Sequence, residues 1–147
     1  MIGRRHFIGA ALATACLPSL SSAQSPRQEP SAMKFRITFD GHAMTATLDD
    51  IPPARELAGM LPLDLTIGDY STNEKIAYLP RKLTQLRDEP FGNERPGDIA
   101  YYAPWGNLVF YYASYRFSKG LIRLGRFDDD IKPLLTRGDY PLRIDPA

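Results

Sequence analysis

The sequence predicts a mainly β domain, a barrel or sandwich of antiparallel strands with two short helices, on three observations. Gly97 to Gly125 is dense in aromatic and β-branched residues and is punctuated by Pro104, Gly106 and Gly120, so it reads as three consecutive strands joined by short turns. Apolar and polar residues alternate from Phe35 to Phe39 and again from Met44 to Leu48. Between those runs stands Asp40-Gly41, a hairpin signal because both turn residues must take positive φ.

Ahead of the domain, Arg4-Arg5-His6-Phe7-Ile8 leads into an uncharged apolar run that ends at Leu20, followed by the small residues Ser21-Ser22-Ala23. This predicts an export signal over residues 1–23, cleaved after Ala23. Arg4 and Arg5, with the apolar Phe7 two places on, resemble a twin-arginine signal, which implies a periplasmic or secreted protein exported already folded. A general secretory signal shares the positive start and apolar centre. A lipid-modified Cys16 is a third form, although Ala13 stands where such sites carry a larger aliphatic residue. The apolar run is too short to cross a bilayer, so no stable membrane span is expected after cleavage. Cleavage also removes His6 and Cys16, leaving His42 as the one histidine and excluding a disulfide, a thiolate or a Cys/His zinc site.

Residues 24–32, rich in Gln, Ser and Pro, read as a flexible linker, and the domain spans 33–147. After the first hairpin, Asp49 or Asp50 is placed to cap a helix with Pro52 and Pro53 in its first turn. Ala54, Leu57, Ala58 and Leu61 form one apolar stripe, and the helix stops before Pro62. Leu63, Leu65 and Ile67 alternate as a third strand ending at Gly68-Asp69-Tyr70, and Ile76 to Leu79 is a short strand or helical turn. Arg81 to Pro96 is polar and rich in turn formers, a long loop of the kind that carries function. Beyond Gly125, Asp128-Asp129-Asp130 with Ile131, Leu134 and Leu135 reads as a short helix with an acidic start, and Tyr140 to Ile144 as a last strand.

The 18 Lys and Arg nearly balance the 17 Asp and Glu, so no basic tract selects nucleic acid. A triad built on His42 with Ser71, Ser114 or Ser118 lacks the Gly-x-Ser-x-Gly elbow, and a hairpin histidine is ordinarily a surface residue. Asp128 to Asp130 lack the alternating ligands of a calcium loop, and single glycines at turns cradle no phosphate. No metal or cofactor is expected. Asp69, Glu74, Lys75 and Asp98 read as solvated turn or edge residues.

Eight aromatics, Tyr101, Tyr102, Trp105, Phe110, Tyr111, Tyr112, Tyr115 and Phe117, crowd this region. Adjacent strand residues face opposite sides, so one of each tyrosine pair faces out. Eight rings exceed what one barrel interior holds, and Tyr and Trp line binding surfaces. The candidate site is therefore a groove bounded by Trp105, Phe110, Tyr112 and the loop after Tyr78, with Arg81 and Arg116 as its basic groups.

The run Pro-Gly-Asp-Ile-Ala-Tyr-Tyr-Ala-Pro-Trp-Gly-Asn ending at Asn107, Glu-Lys-Ile-Ala-Tyr-Leu at 74–79 and Leu-Gly-Arg-Phe-Asp at 124–128 resemble the small bacterial cyclophilin-like domain family from Met33 to about Leu135. The resemblance implies a closed antiparallel β-barrel with a helix covering each end. Leu124-Gly125-Arg126-Phe127 is similar to a strand end of the true cyclophilins and Val109-Phe110-Tyr111 to another of their strands, which implies that Phe110 floors the proline pocket. Their Phe-His-Arg strand and Gln-Gly-Gly-Asp turn have no counterpart, and Leu121 stands where their pocket histidine would be. Two functions remain open: a non-catalytic module binding a peptide or small molecule, or an atypical prolyl isomerase in which Arg81 or Arg116 replaces the missing donor. A structural partner in an envelope assembly is a third.

Overall fold

The computed structural model describes residues 9–11, 13–18 and 32–147. Arg4, Arg5, Phe7 and Ala23 of the expected export signal lie outside the described residues, as does most of the 24–32 linker. Among the described residues no helix is long and apolar enough to cross a membrane.

Eight antiparallel strands close into one barrel. In chain order they are β1 (Lys34–Phe39), β2 (His42–Leu48), β3 (Leu63–Tyr70), β4 (Glu74–Tyr78), β5 (Asp98–Tyr102), β6 (Asn107–Tyr111), β7 (Leu121–Phe127) and β8 (Tyr140–Pro146). Around the barrel they run β1-β2-β7-β5-β6-β4-β3-β8 and back to β1. Asp40 and Gly41 both take positive φ, 46° and 73°, which makes the β1–β2 hairpin as its Asp-Gly pair requires. The three aromatic strands do lie side by side, but with β5 in the middle: it pairs with β6 on one edge and β7 on the other. The β6–β7 connection is consequently a nine-residue loop, 112–120, rather than a short turn.

Phe35, Ile37, Met44, Ile67, Tyr101, Leu108, Phe110 and Leu124 fill the barrel interior and are 2% exposed or less. Helix α1 (Pro52–Met60) adds Ala54 and Leu57 to this core, and a 3-10 helix (Lys132–Leu135) adds Leu134. The N-cap position of α1 is Ile51, which offers no side-chain cap, and neither Asp49 nor Asp50 fills it; Asp50 instead pairs with the Arg55 guanidinium. Of the three aspartates expected to start a helix, Asp128 and Asp129 serve the sheet and Asp130 meets the first residue of the 3-10 helix. Asp128 accepts from Thr47 Oγ1 and Lys34 Nζ, Asp129 from the Thr45 N–H and Asp130 from the Lys132 N–H. Where β7 meets β2, a Cβ on Gly125 would come within 2.8 Å of the Leu48 Cα and closer still to the Thr47 carbonyl, so only glycine lets these strands close the wall.

A second apolar layer lies outside the barrel. Ala100 of β5, Val109 and Tyr111 of β6 and Leu121 of β7 face outward and pack with Ile76, Phe91, Tyr102, Tyr115 and Phe117. Two loops supply the cover: Phe91 comes from 79–97, and Tyr115 and Phe117 from 112–120. Both faces of this part of the sheet are therefore dry, which is why β5 and β6 carry apolar residues at nearly every position.

Candidate functional site

Strand alternation and register build the site. On the outer face, Tyr78 of β4 stands opposite Asn107 of β6, which stands opposite Tyr102 of β5. Two rows along on the same face, beyond Val109 and Ile76, Tyr70 of β3 stands opposite Glu74 of β4, which stands opposite Tyr111 of β6. Trp105 comes from the turn between β5 and β6, where Gly106 takes φ of +75°. Its indole meets Tyr70 and Tyr102 edge-on, both with ring centroids 5.3 Å apart and planes at 84° and 78°. A pocket of about 240 Å³ is lined by these three rings with Glu74, Asn107, Val109, Tyr111, Ser118 and Leu121.

Its polar groups come from Glu74, Asn107, Ser118 and the tyrosine hydroxyls. Asn107 is 1% exposed; its Nδ2 donates to the Leu108 carbonyl, while its Oδ1 accepts no hydrogen bond. An unpartnered buried acceptor costs on the order of 1–3 kcal/mol, so its presence calls for a partner or a reason. Glu74 is half-buried. Burial pushes its carboxyl above the usual range, opposed by a hydrogen bond with the Tyr111 hydroxyl, and among the described residues it makes no ion pair. Tyr111 is stacked flat on Tyr115, centroids 3.5 Å apart and planes at 4°. Tyr115 in turn donates to Asp98 Oδ2 at 2.7 Å, which fixes the back wall. Burial first, then the nearby carboxylates, raises both phenols, so both stay neutral donors.

The surrounding charges are committed elsewhere. Asp98 is fully buried and pairs with Arg126 at 2.6 Å and Arg123 at 3.5 Å. Those two guanidiniums also hold the carbonyls of Gly92 and Asn93, so this cluster staples the 79–97 loop to β5 and β7. Farther back on the same loop, Leu83 is buried, and its N–H donates to the Tyr101 hydroxyl at 3.0 Å. Glu56 of α1 accepts from Arg81, the N–H and hydroxyl of Thr84, and the Gln85 N–H. Burial pushes the Glu56 carboxyl up, but these donors outweigh it and hold it down to about 2. Two more expected surface groups are inside: Lys75 is fully buried and pairs with Asp69 at 2.9 Å, and Asp69 also accepts from the Gly138 N–H.

Of the six residues expected to bind ligand, the structure places Trp105 in the pocket, and Tyr78, 54% exposed, on the same sheet face beside Asn107. It does not bring the other four there. Phe110 points into the barrel, fully buried against Phe127, because β6 turns its even-numbered residues inward. It floors no groove. Tyr112 packs against the main core, its hydroxyl accepting from Arg137. Arg81 is taken by Glu56, and Arg116 lines a separate cleft with Glu94, Ser114 and Tyr115. Glu74, Asn107, Tyr70, Tyr102 and Tyr111 are site residues that sequence reasoning missed. One polar residue at the start of the apolar run Asn107-Leu-Val-Phe-Tyr was the available signal. His42 sits at the first hairpin, its ring 5.8 Å from that of Phe39.

The closed eight-stranded barrel, with loops folded over one outer face, defines the class of fold. The cyclophilin-like family model matches residues 37–145, so the chain belongs to that family. Among solved structures it is similar to a hypothetical protein from Archaeoglobus fulgidus determined in solution, with a TM-score of 0.64 and 15% identity over 82% of this chain and 99% of that one. At that identity the likeness shows the barrel alone. No curated protein matches the chain.

Proposed function

We propose that this member of the cyclophilin-like family is an exported, non-catalytic binding protein that holds a peptide or small molecule in the outer-face pocket at Trp105. One observation carries the reading: Asn107, which lines the pocket, has a buried acceptor, Oδ1, that none of the described residues satisfies. Around it stand exposed aromatic rings, Tyr70 at 43% and Trp105 at 45%, which solvent would otherwise discourage. A periplasmic or secreted location is supported by Arg4-Arg5 and the apolar run up to Leu20.

A prolyl isomerase lowers a rotation barrier of about 18–20 kcal/mol by desolvating the amide and donating one hydrogen bond to it. The pocket lining includes no arginine, lysine or histidine. Arg81 and Arg116, the arginines that stood in for the missing donor, lie elsewhere, and the aromatic floor expected of Phe110 is inside the barrel. The purified protein is therefore expected to leave the cis–trans relaxation of a short proline peptide at its uncatalysed rate at every protein concentration. Amide shift mapping with a fragment set is expected to perturb the residues around Trp105 and Asn107. A relaxation rate rising in proportion to protein would overturn the non-catalytic reading, and fragments clustering on another face would overturn the site.

A further inference from the structure

Resting on the reading that this pocket holds a ligand, we infer that the group it holds is a protonated nitrogen carrying N–H bonds, a primary ammonium or a guanidinium, borne by a free amine or by a lysine or arginine side chain of a peptide. Three features of the pocket favour positive charge. The Trp105 ring meets those of Tyr70 and Tyr102 at 84° and 78°, and aromatic faces attract cations held against them. Glu74 brings a carboxyl that none of the described basic side chains neutralises. Asn107 Oδ1 is an acceptor in want of a donor.

Alternatives fail on the same residues. An anion would meet Glu74 and the negative ring faces with no lysine, arginine or histidine in the lining to offset them. A neutral apolar group would sit among the rings but leave Asn107 Oδ1 without a donor and take more water from the Glu74 carboxyl, at the cost of an unpaired buried acceptor. A quaternary ammonium would suit the rings and Glu74 yet give Asn107 nothing, since it carries no N–H. Volume sets the scale: about 240 Å³ is below the roughly 300–1,000 Å³ of sites that enclose a whole drug-sized ligand, so the pocket suits a head group or one side chain.

Trp105 is the only tryptophan of the chain, so its fluorescence reports this pocket alone. Titration of the whole protein with n-butylammonium, followed by that emission and by calorimetry, is expected to give saturable one-site binding. Butanol, butyrate and tetramethylammonium are expected to bind about tenfold more weakly or worse. Glu74→Gln, which keeps the shape and removes the charge, is expected to lose a similar factor for butylammonium without lowering the unfolding temperature. Tyr70→Leu, on the exposed rim where folding does not depend on it, is expected to weaken binding several-fold. Acetyl-Gly-Lys-Gly-amide binding more tightly than butylammonium would assign the cation to a peptide, and equal binding to a free amine. Butanol or butyrate binding as well as butylammonium, with the Trp105 response, would overturn the cation while leaving the pocket as the site. Silence of Trp105 toward every probe would overturn the cation, and fragments that also fail to perturb the pocket amides would overturn the binding reading with it.

Discussion

Trp105 and Phe110 lie five residues apart in one hairpin and have opposite fates. Trp105 stands on the outer face, close to half exposed, between two tyrosines, and Phe110 is sealed inside the barrel. Truncating a buried phenylalanine removes its transfer energy and leaves a cavity, so Phe110→Ala is expected to destabilise the protein by about 3–5 kcal/mol in denaturant unfolding. Trp105→Ala is expected to cost less than half of that and to abolish ligand binding. Equal losses of stability would contradict the placement of the two side chains. Strand alternation in the sequence separates these residues onto opposite faces, but it does not say which face is the interior. That information is normally carried by polar residues on the wet side of a sheet. Here Ala100, Val109, Tyr111 and Leu121 make the outer face apolar too, so Phe110 and Trp105 look alike as candidates for a groove.

At the level of elements, the 79–97 loop is a structural cover rather than a free binding loop. Glu56 of α1 holds its beginning through Arg81, Thr84 and Gln85, and Arg123 and Arg126 hold Gly92 and Asn93. These contacts span 25 to 33 residues in sequence, which is why the segment reads as polar turn formers and nothing more. The strands and α1, whose signals are local, were legible to within a few residues; the caps and anchors were not. Burial opposes ionisation of Glu56, but its donors win and lower its carboxyl from 4.5 to about 2. A carboxyl depressed in the folded state binds its proton less readily than in the unfolded chain. Its stabilisation is present above about pH 4.5 and is lost as pH falls toward 2. Glu56→Gln is accordingly expected to lower the unfolding temperature at pH 7 and to flatten its decline between pH 4.5 and 2. Amide exchange at Leu83 to Gln85 is expected to accelerate in this variant, and unchanged protection there would contradict the anchoring role.

At the scale of the whole molecule, the groups that hold the barrel together lie apart from the outer-face pocket. The inner core, the buried Lys75–Asp69 pair and the Asp98 cluster fix a rigid barrel, while the second apolar layer holds two loops against one outer face. The barrel was legible because hairpin chemistry, alternation and the cyclophilin-like sequence runs agree. The pocket was not, because it is assembled across β3, β4, β5 and β6 by register that no local pattern records. What remains exposed at that face is the pair Tyr70 and Trp105, beside the half-buried Glu74 carboxyl and a buried acceptor, Asn107 Oδ1, that has no donor. The most direct test is a two-dimensional amide spectrum of the protein during titration with a lysine-containing peptide, following the Trp105 indole N–H and the Asn107 side-chain amide. The expected result is that both signals move together and saturate at one peptide concentration, with Tyr112 and Arg116 amides unmoved. Shifts gathered around Arg116 or the barrel ends, with Trp105 and Asn107 silent, would contradict the outer-face pocket as the working site.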